Sequence, residues 1–289
     1  MPELPEVEVV KRSLEKKIIN LIIKKVKIND GNLRYKVNVK EISKLIGIKI
    51  KKIKRKSKFL IFEFDKNFFM LVHFGMTGKF FYVDENNIRF KTSFYYSLKK
   101  EKYEKHNRVI FILQKNQKLI FHDIRKFGFI KIYQSNDYND ILHLRNLGPE
   151  PLGKNWSYQY LKNYIFGRNR NIKDILMDQK CVSGLGNIYV NEILYLSGVK
   201  PKRKVSRLKN FEIRKIVKNT KIVLLNAIKQ GGSSIKDFSS DDGKQGVFQQ
   251  YFKVYGRVGE KCSNVDCNTN ITRTIISNRA SFFCKSCQK

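Results

Sequence analysis

Four cysteines near the C-terminus constrain this chain more than any other feature. Cys262 and Cys267 have four residues between them, sixteen separate Cys267 from Cys284, and two lie between Cys284 and Cys287. Two close pairs at this separation fit a tetrahedral, all-thiolate zinc site. Between the pairs, residues 272–276 and 281–283 alternate around Ser277-Asn278-Arg279. That pattern predicts a β-hairpin, so the module reads as a zinc ribbon rather than a helix-bearing finger. Two disulfides are the competing use of the same cysteines. The N-terminus is acidic and lacks an apolar signal segment, and no apolar run approaches the roughly 20 residues that span a bilayer. A cytoplasmic, nucleoid-associated location is therefore expected, where thiols stay reduced and one structural zinc ion is the better reading. Cys181 is the odd cysteine and reads as a small apolar core residue.

The charge balance points to a polyanion. Across 289 residues there are 59 Lys+Arg against 25 Asp+Glu, a formal net charge of +34. Nucleic acid is the simplest partner for such a chain. Of the basic residues 44 are Lys and only 15 are Arg. Most of the lysines read as a solvated surface, and the few arginines are the better candidates for bidentate phosphate contacts. With 42% hydrophobic residues the chain is globular rather than disordered.

Its organisation follows from periodicity. Residues 5–19 predict an amphipathic helix, with Pro5 in its first turn, Glu6 and Glu8 near its N-terminus, and Val7, Val10, Leu14 and Ile18 as the apolar stripe. Strands are predicted at 24–29, 48–53, 58–64, 68–75, 79–83, 108–114, 118–122 and 127–133, which suggests a β-sandwich or barrel. The polar, Lys-rich segment 84–107 reads as a long exposed insertion. Residues 147–153 hold two of the five prolines and read as a linker. Helices are then predicted at 157–166, 171–177, 187–197 and 207–229. The turn before the third carries Gly184 and Gly186, with Asn187 as its expected cap, and helix N-terminal amides of this kind form an anion site. The expected division is a β domain over 1–146, a linker over 147–156, a helical domain over 157–250 and the ribbon over 251–289.

The first six residues, Met1-Pro2-Glu3-Leu4-Pro5-Glu6, carry possible chemistry. A small residue after Met1 normally lets the initiator be trimmed, leaving Pro2 with a free secondary amine. An α-amine titrates near pH 8 (about 7.7–8.0), so a useful fraction is uncharged at neutral pH. Such an amine can attack an electrophilic carbon and form an iminium. Glu3 sets a carboxyl beside it and Glu6 adds a second nearby, a minimal nucleophile and acid/base set. A solvated, frayed terminus is the plainer reading of the same residues.

Together these residues resemble formamidopyrimidine-DNA glycosylase. The resemblance is carried by Met1-Pro2-Glu3-Leu4-Pro5-Glu6-Val7-Glu8, Arg55-Lys56-Ser57-Lys58-Phe59-Leu60, His73-Phe74-Gly75-Met76-Thr77-Gly78 and Asp123-Ile124-Arg125-Lys126-Phe127-Gly128. It continues through Leu147-Gly148-Pro149-Glu150-Pro151, Gly186-Asn187-Ile188-Tyr189 with Glu192, Gly243-Lys244, Val254-Tyr255-Gly256-Arg257 and Arg279-Ala280. It runs the length of the chain. It implies an α+β protein: an N-terminal β-sandwich with an amphipathic N-terminal helix, then a helix–two-turn–helix domain ending in a four-cysteine zinc ribbon. Double-stranded DNA containing oxidised bases would cross between them, and the chain would act as a monomer with no obligatory protein partner and no membrane.

The resemblance also implies roles. Pro2 matches the nucleophile, Glu3 the acid/base that helps open the sugar, and Lys58 a lysine linked to β-elimination. Taken alone, Lys58 reads as one more surface lysine. Arg279 matches the arginine that grips the lesion phosphates and is linked to δ-elimination; its place near the hairpin tip independently suits a phosphate contact. His73, His106, Arg125, Arg168 and Asn187 match DNA-contact positions. Met76, Arg125 and Phe127 match the triad that fills the gap left by an extruded base. In isolation Met76 and Phe127 would read as core residues, yet both stand beside a glycine at a strand end. Two departures are visible: the first cysteine pair has four intervening residues where the usual pattern has two, and 84–107 is long, which bears on the placement of His106. An endonuclease-VIII-like enzyme for oxidised pyrimidines and a non-catalytic DNA-damage-binding protein are the competing readings.

Overall fold

Helix α1 (Leu4–Ile18) starts where the chain supplies its own N-terminal stop. Pro5 lies in the first turn, where its missing N–H costs nothing, and the Glu6 carboxylate accepts the Glu3 N–H at 2.8 Å. Val7, Val10, Leu14 and Ile18, spaced at helical intervals, are all buried. The computed structural model describes residues 1–86, 89–91, 104–233 and 247–289.

Among the described residues, nine strands follow in the first part of the chain: β1 (Ile23–Ile28), β2 (Ile50–Lys56), β3 (Phe59–Phe64), β4 (Phe68–His73), β5 (Lys79–Val83), β6 (Arg89–Lys91), β7 (Asn107–Leu113), β8 (Lys118–His122) and β9 (Phe129–Gln134). Two short helices, α2 (Val39–Ser43) and α3 (Leu142–Arg145), accompany them. The strands make two antiparallel sheets, ordered β1-β7-β8-β5-β6 and β2-β3-β4-β9. One core joins them to α1: Leu60, Phe62 and Phe64 from one sheet meet Phe80, Phe111 and Phe121 from the other. Phe62 and Phe80 pack edge to face with ring centroids 5.7 Å apart. This is the expected sandwich, with strand limits shifted by up to three residues. Within the 84–107 segment, Arg89–Lys91 pairs with β5 in the register Val83↔Arg89 and Phe81↔Lys91. The rest of that segment between 92 and 103 lies outside the described residues.

The second part holds α4 (Tyr158–Ile165), α5 (Ile172–Met177), α6 (Asn187–Ser197), α7 (Asn210–Lys229) and the hairpin β10 (Ile271–Ile276) and β11 (Arg279–Cys284). Helix α6 is buried along most of its length and stops at Gly198, whose φ of 71° is the left-handed cap that glycine adopts without strain. The predicted linker is docked: Gly148 N–H donates to the Gln179 carbonyl at 2.8 Å and Ser183 N–H to the Pro149 carbonyl at 3.1 Å. The chain divides into two compact units, Met1–Arg145 with Gly231–Val247, and Asn146–Gln230 with Phe248–Lys289. The segment Gly231–Val247 falls in the first of these units. Within that segment 234–246, including the expected Gly243-Lys244 motif, lies outside the described residues.

Candidate functional site

In the first unit the chain start is built into the fold. Met1 is 37% exposed, Pro2 is half-buried, and Glu3 and Glu6 are buried. Glu6 differs from its reading as a spare acid/base carboxyl. One oxygen takes the Glu3 N–H and the other takes the Ser233 N–H at 2.9 Å and its hydroxyl at 3.1 Å. Gly232, with φ +84°, lies so close that a Cβ would meet Glu6 Oε1 at 3.1 Å. The three-residue spacing of Glu3 and Glu6 was the sequence signal for this structural duty.

Arg55 ties α1 to the β2–β3 hairpin. Its Nε donates to Glu8 Oε2 at 2.9 Å and its Nη1 to the Ser57 carbonyl at 3.0 Å. Burial alone would raise the Glu8 pKa, but the Arg55 guanidinium and its hydrogen bond, helped by Arg12 and Lys11, hold it below the ordinary value. The hairpin turns on Ser57 and Lys58 between the paired Lys56 and Phe59, and both turn residues are buried. Lys58 is only 6% exposed, which overturns its plain reading as a surface lysine.

His73 ends β4 among aromatic rings, stacked on Phe129 at 5.6 Å. Its Nδ1 accepts the Gly75 N–H at 3.1 Å, which leaves the ring proton on Nε2. Burial, then the charges of Lys58, Arg34, His143 and the amino terminus, pushes its pKa down to about 4. A depressed histidine pKa stabilises the fold above the unfolded value of 6.5 and loses that stability as pH falls toward about 4. His73→Phe should therefore gain on the natural chain by about 1.4 kcal/mol per pH unit across that window. Paired urea melts at several pH values check this, and a difference that does not change with pH would refute it.

Met76, Arg125 and Phe127 stand at neighbouring strand ends. Met76 is half-buried, Arg125 is exposed and Phe127 is 45% exposed, so neither apolar residue belongs to the core. The Arg125 guanidinium lies 4.8 Å from the Phe127 ring centroid. His106 approaches Arg108, whose Nη2 is 3.2 Å from its Nδ1. Burial first, then Arg108, Lys105 and Lys79, lowers the His106 pKa.

In the second unit the hairpin tip is formed by Ser277 and Asn278, both with positive φ (47° and 59°), the pattern of a primed two-residue turn. Arg279 follows it and is exposed. The next peptide is clamped, because the Ala280 carbonyl accepts from Lys173 Nζ at 2.9 Å and from Asn187 Nδ2 at 3.0 Å. Lys173 also donates to Ser281 Oγ at 2.6 Å. Burial, then the nearby Arg279 charge, pushes the Lys173 pKa down to about 8. The α6 cap is Gly186, not Asn187: extended Gly186 precedes the helix, while the Asn187 amide donates one N–H to the hairpin. Glu192 accepts the N–H groups of Lys253, Val254 and Tyr255 at 2.8–3.0 Å, joining α6 to the ribbon. Arg168 is exposed beyond α4, against the Tyr164 ring. Lys173 carries no motif and was missed from sequence; its burial and its hold on Ala280 and Ser281 emerge only from the fold.

The four cysteines converge. The Sγ atoms of Cys262, Cys267, Cys284 and Cys287 all lie within 4.8 Å of one another, and none is in a disulfide. Cys262 and Cys287 are 3.8 Å apart and Cys267 and Cys284 3.6 Å. Sulfurs at about 2.3 Å from one tetrahedral ion would be separated by about 3.8 Å, so the set fits a metal, and the four-residue loop after Cys262 is accommodated. Cys181 is fully buried elsewhere and burial pushes its thiol up to about 12, in line with a core role.

The formamidopyrimidine-DNA glycosylase N-terminal domain matches residues 1–130 and the family's H2TH domain matches residues 147–239. A formamidopyrimidine-DNA glycosylase from Rickettsia bellii is 39% identical over 292 residues, covering 100% of both chains. This chain belongs to the formamidopyrimidine-DNA glycosylase family. A Rickettsia felis member is likewise 39% identical, covering 100% of this chain and 98% of its own. Among solved structures, a Lactococcus lactis member bound to DNA containing Fapy-dG superposes with a TM-score of 0.85 at 30% identity, with both chains fully covered. The same protein bound to abasic-site DNA gives 0.84 at 30% identity, with 99% of each chain covered. Like other formamidopyrimidine-DNA glycosylases, the chain combines the β-sandwich, the H2TH helices and a four-cysteine cluster on a β-hairpin. No helix among the described residues is long and apolar enough to cross a membrane.

Proposed function

We propose that this glycosylase/AP lyase of base excision repair acts on duplex DNA carrying formamidopyrimidines and 8-oxoguanine, through the amine of Pro2. The full-length family match supports the reaction class, and the burial of Glu3 and Lys58 in the unit that starts at Pro2 is the observation that carries the site. The Pro2 nitrogen attacks C1′ of the damaged nucleotide, the C1′–N bond breaks and the base leaves with a proton. Glu3 supplies the acid/base function that opens the sugar ring. The resulting iminium acidifies C2′, and loss of that proton expels the 3′ phosphate by β-elimination. A second elimination expels the 5′ phosphate. Lys58 donates a proton and holds a phosphate, while Arg279 grips the phosphates flanking the lesion.

Base removal requires extrusion, which costs roughly a few kcal/mol. Met76 and Phe127 would fill the vacated stack and Arg125 would face the orphaned base. His73, His106, Arg168 and Asn187 would hold the backbone; His73 does so as a neutral Nε2–H donor. Cys262, Cys267, Cys284 and Cys287 would hold a zinc ion, which would supply no chemistry to the reaction and would stiffen the hairpin that presents Arg279.

A panel of matched duplexes tests the substrate. Excision of formamidopyrimidine and of 8-oxoguanine opposite cytosine should far outrun excision of an oxidised pyrimidine. The reverse order would favour the endonuclease-VIII-like reading, and binding without strand cutting would favour a damage-binding protein.

A further inference from the structure

One buried carboxylate holds the two loops that carry Met76, Arg125 and Phe127. Met76 follows β4, while Arg125 and Phe127 precede β9. Between them Asp123 is fully buried. Its Oδ1 accepts the Thr77 hydroxyl, and its Oδ2 accepts the Gly128 N–H at 2.8 Å. The Thr77 oxygen in turn accepts the Arg125 N–H at 3.0 Å. The tie therefore reaches the residue after Met76, the backbone of Arg125 and the residue after Phe127.

The surroundings tighten it. Arg108 donates from Nε to the Asp123 carbonyl at 2.7 Å and from Nη2 to the Ile124 carbonyl at 3.4 Å, and its Nη1 pairs with Asp30 at 2.8 Å. Gly75, at φ +60°, lets the two loops touch backbone to backbone: a Cβ there would sit 2.3 Å from the Phe127 carbonyl carbon. A buried carboxylate is costly unless both oxygens are paired, and here both are. Its partners are the loop ends that carry Met76, Arg125 and Phe127. Displacing a stacked base needs a wedge stiffer than the stack, and mobile loops would yield to the duplex instead.

We propose that Asp123 and Thr77 are positioning residues that hold Met76, Arg125 and Phe127 as one rigid element. They act on base extrusion and not on bond breaking at Pro2. The proposal rests on the wedge reading given above.

Thr77→Val keeps the side-chain shape but removes the hydroxyl that both donates to Asp123 and accepts from Arg125. Asp123→Ala removes both accepting oxygens, so both of its ties are lost. The two substrates are a duplex with 8-oxoguanine opposite cytosine and the same duplex with a preformed abasic site, where no base has to be pushed out. The expected loss with Thr77→Val or Asp123→Ala is about 10²-fold in kcat for excision of the base. Cleavage of the abasic site by the same preparations should stay within about threefold, and Thr77→Ser should restore excision. Fluorescence of 2-aminopurine beside the lesion should show slowed extrusion. Equal loss on both substrates would make the residues merely structural and overturn the proposal. So would unimpaired excision, or failure of Thr77→Ser to restore it. Met76→Ala separates the two ideas: if it excises at full rate the wedge reading itself fails, whereas an impaired Met76→Ala beside an unaffected Thr77→Val removes only the positioning role.

Discussion

A chain that keeps Met1, or carries a tag ahead of it, is expected to bind damaged duplex and leave it uncut. In that chain the Pro2 nitrogen is a tertiary amide whose lone pair is shared with the Met1 carbonyl. It cannot add to C1′, and the primary amine now lies one residue further out. Loss of the nucleophile cost on the order of 10⁶ in kcat in the best-measured hydrolase, so a fall of at least about 10³-fold is expected here. Affinity should change little, since the phosphate-binding groups are untouched. Met1 is 37% exposed, open to removal in the folded chain. Mass spectrometry of the N-terminus beside single-turnover cutting assays checks the relation. Full activity from a preparation retaining Met1 would remove Pro2 from the mechanism.

Metal removal should be nearly as damaging. Zinc binding to four thiolates has an apparent free energy of about 10–16 kcal/mol in small peptides, far more than a short hairpin can supply from its own core. Here the core beside the cysteines is Val254, Ile271 and Phe282. Once the ion is stripped, the β10–β11 hairpin should lose its hold and Arg279 its position. Strand cutting should fall by at least about 10²-fold. The thiols supply an independent readout. Of five cysteines, Cys181 is buried with its thiol pushed up to about 12, so it should stay unreactive in the metal-loaded and stripped folds alike. Chelation should expose the other four to a thiol reagent together, with one zinc released per chain. Undiminished cutting by a stripped, four-thiol protein would contradict the structural role assigned to the metal.

What could be read from sequence were the features whose physics is local. Alternation in Phe59-Leu60-Ile61-Phe62-Glu63-Phe64 gives β3, and the Val7, Val10, Leu14, Ile18 stripe gives α1, because each pattern directly reflects the face an element buries. The cysteine spacing foretold the cluster for the same reason. Features that depend on distant partners were not legible. Lys58 sits in a basic run, and nothing local says that the turn is buried against the sandwich. Asn187 looks like a cap, but a carbonyl ninety-three residues later claims its amide. Glu6 looks like a spare carboxyl until Ser233, far along the chain, is found bonded to it. Lys173 escaped notice, and Asp123 entered only as part of a motif with no role of its own, because a lone buried charge has no periodicity and only the fold reveals its partners.

The central claim is that the amine of Pro2 forms a covalent bond to the damaged sugar. Borohydride reduction during reaction with a duplex carrying 8-oxoguanine opposite cytosine, followed by peptide mapping of the adduct, tests it directly. One adduct per chain is expected, located at Pro2 and absent from a chain that keeps Met1. An adduct at a lysine, or cutting with no trapped adduct at all, would contradict it.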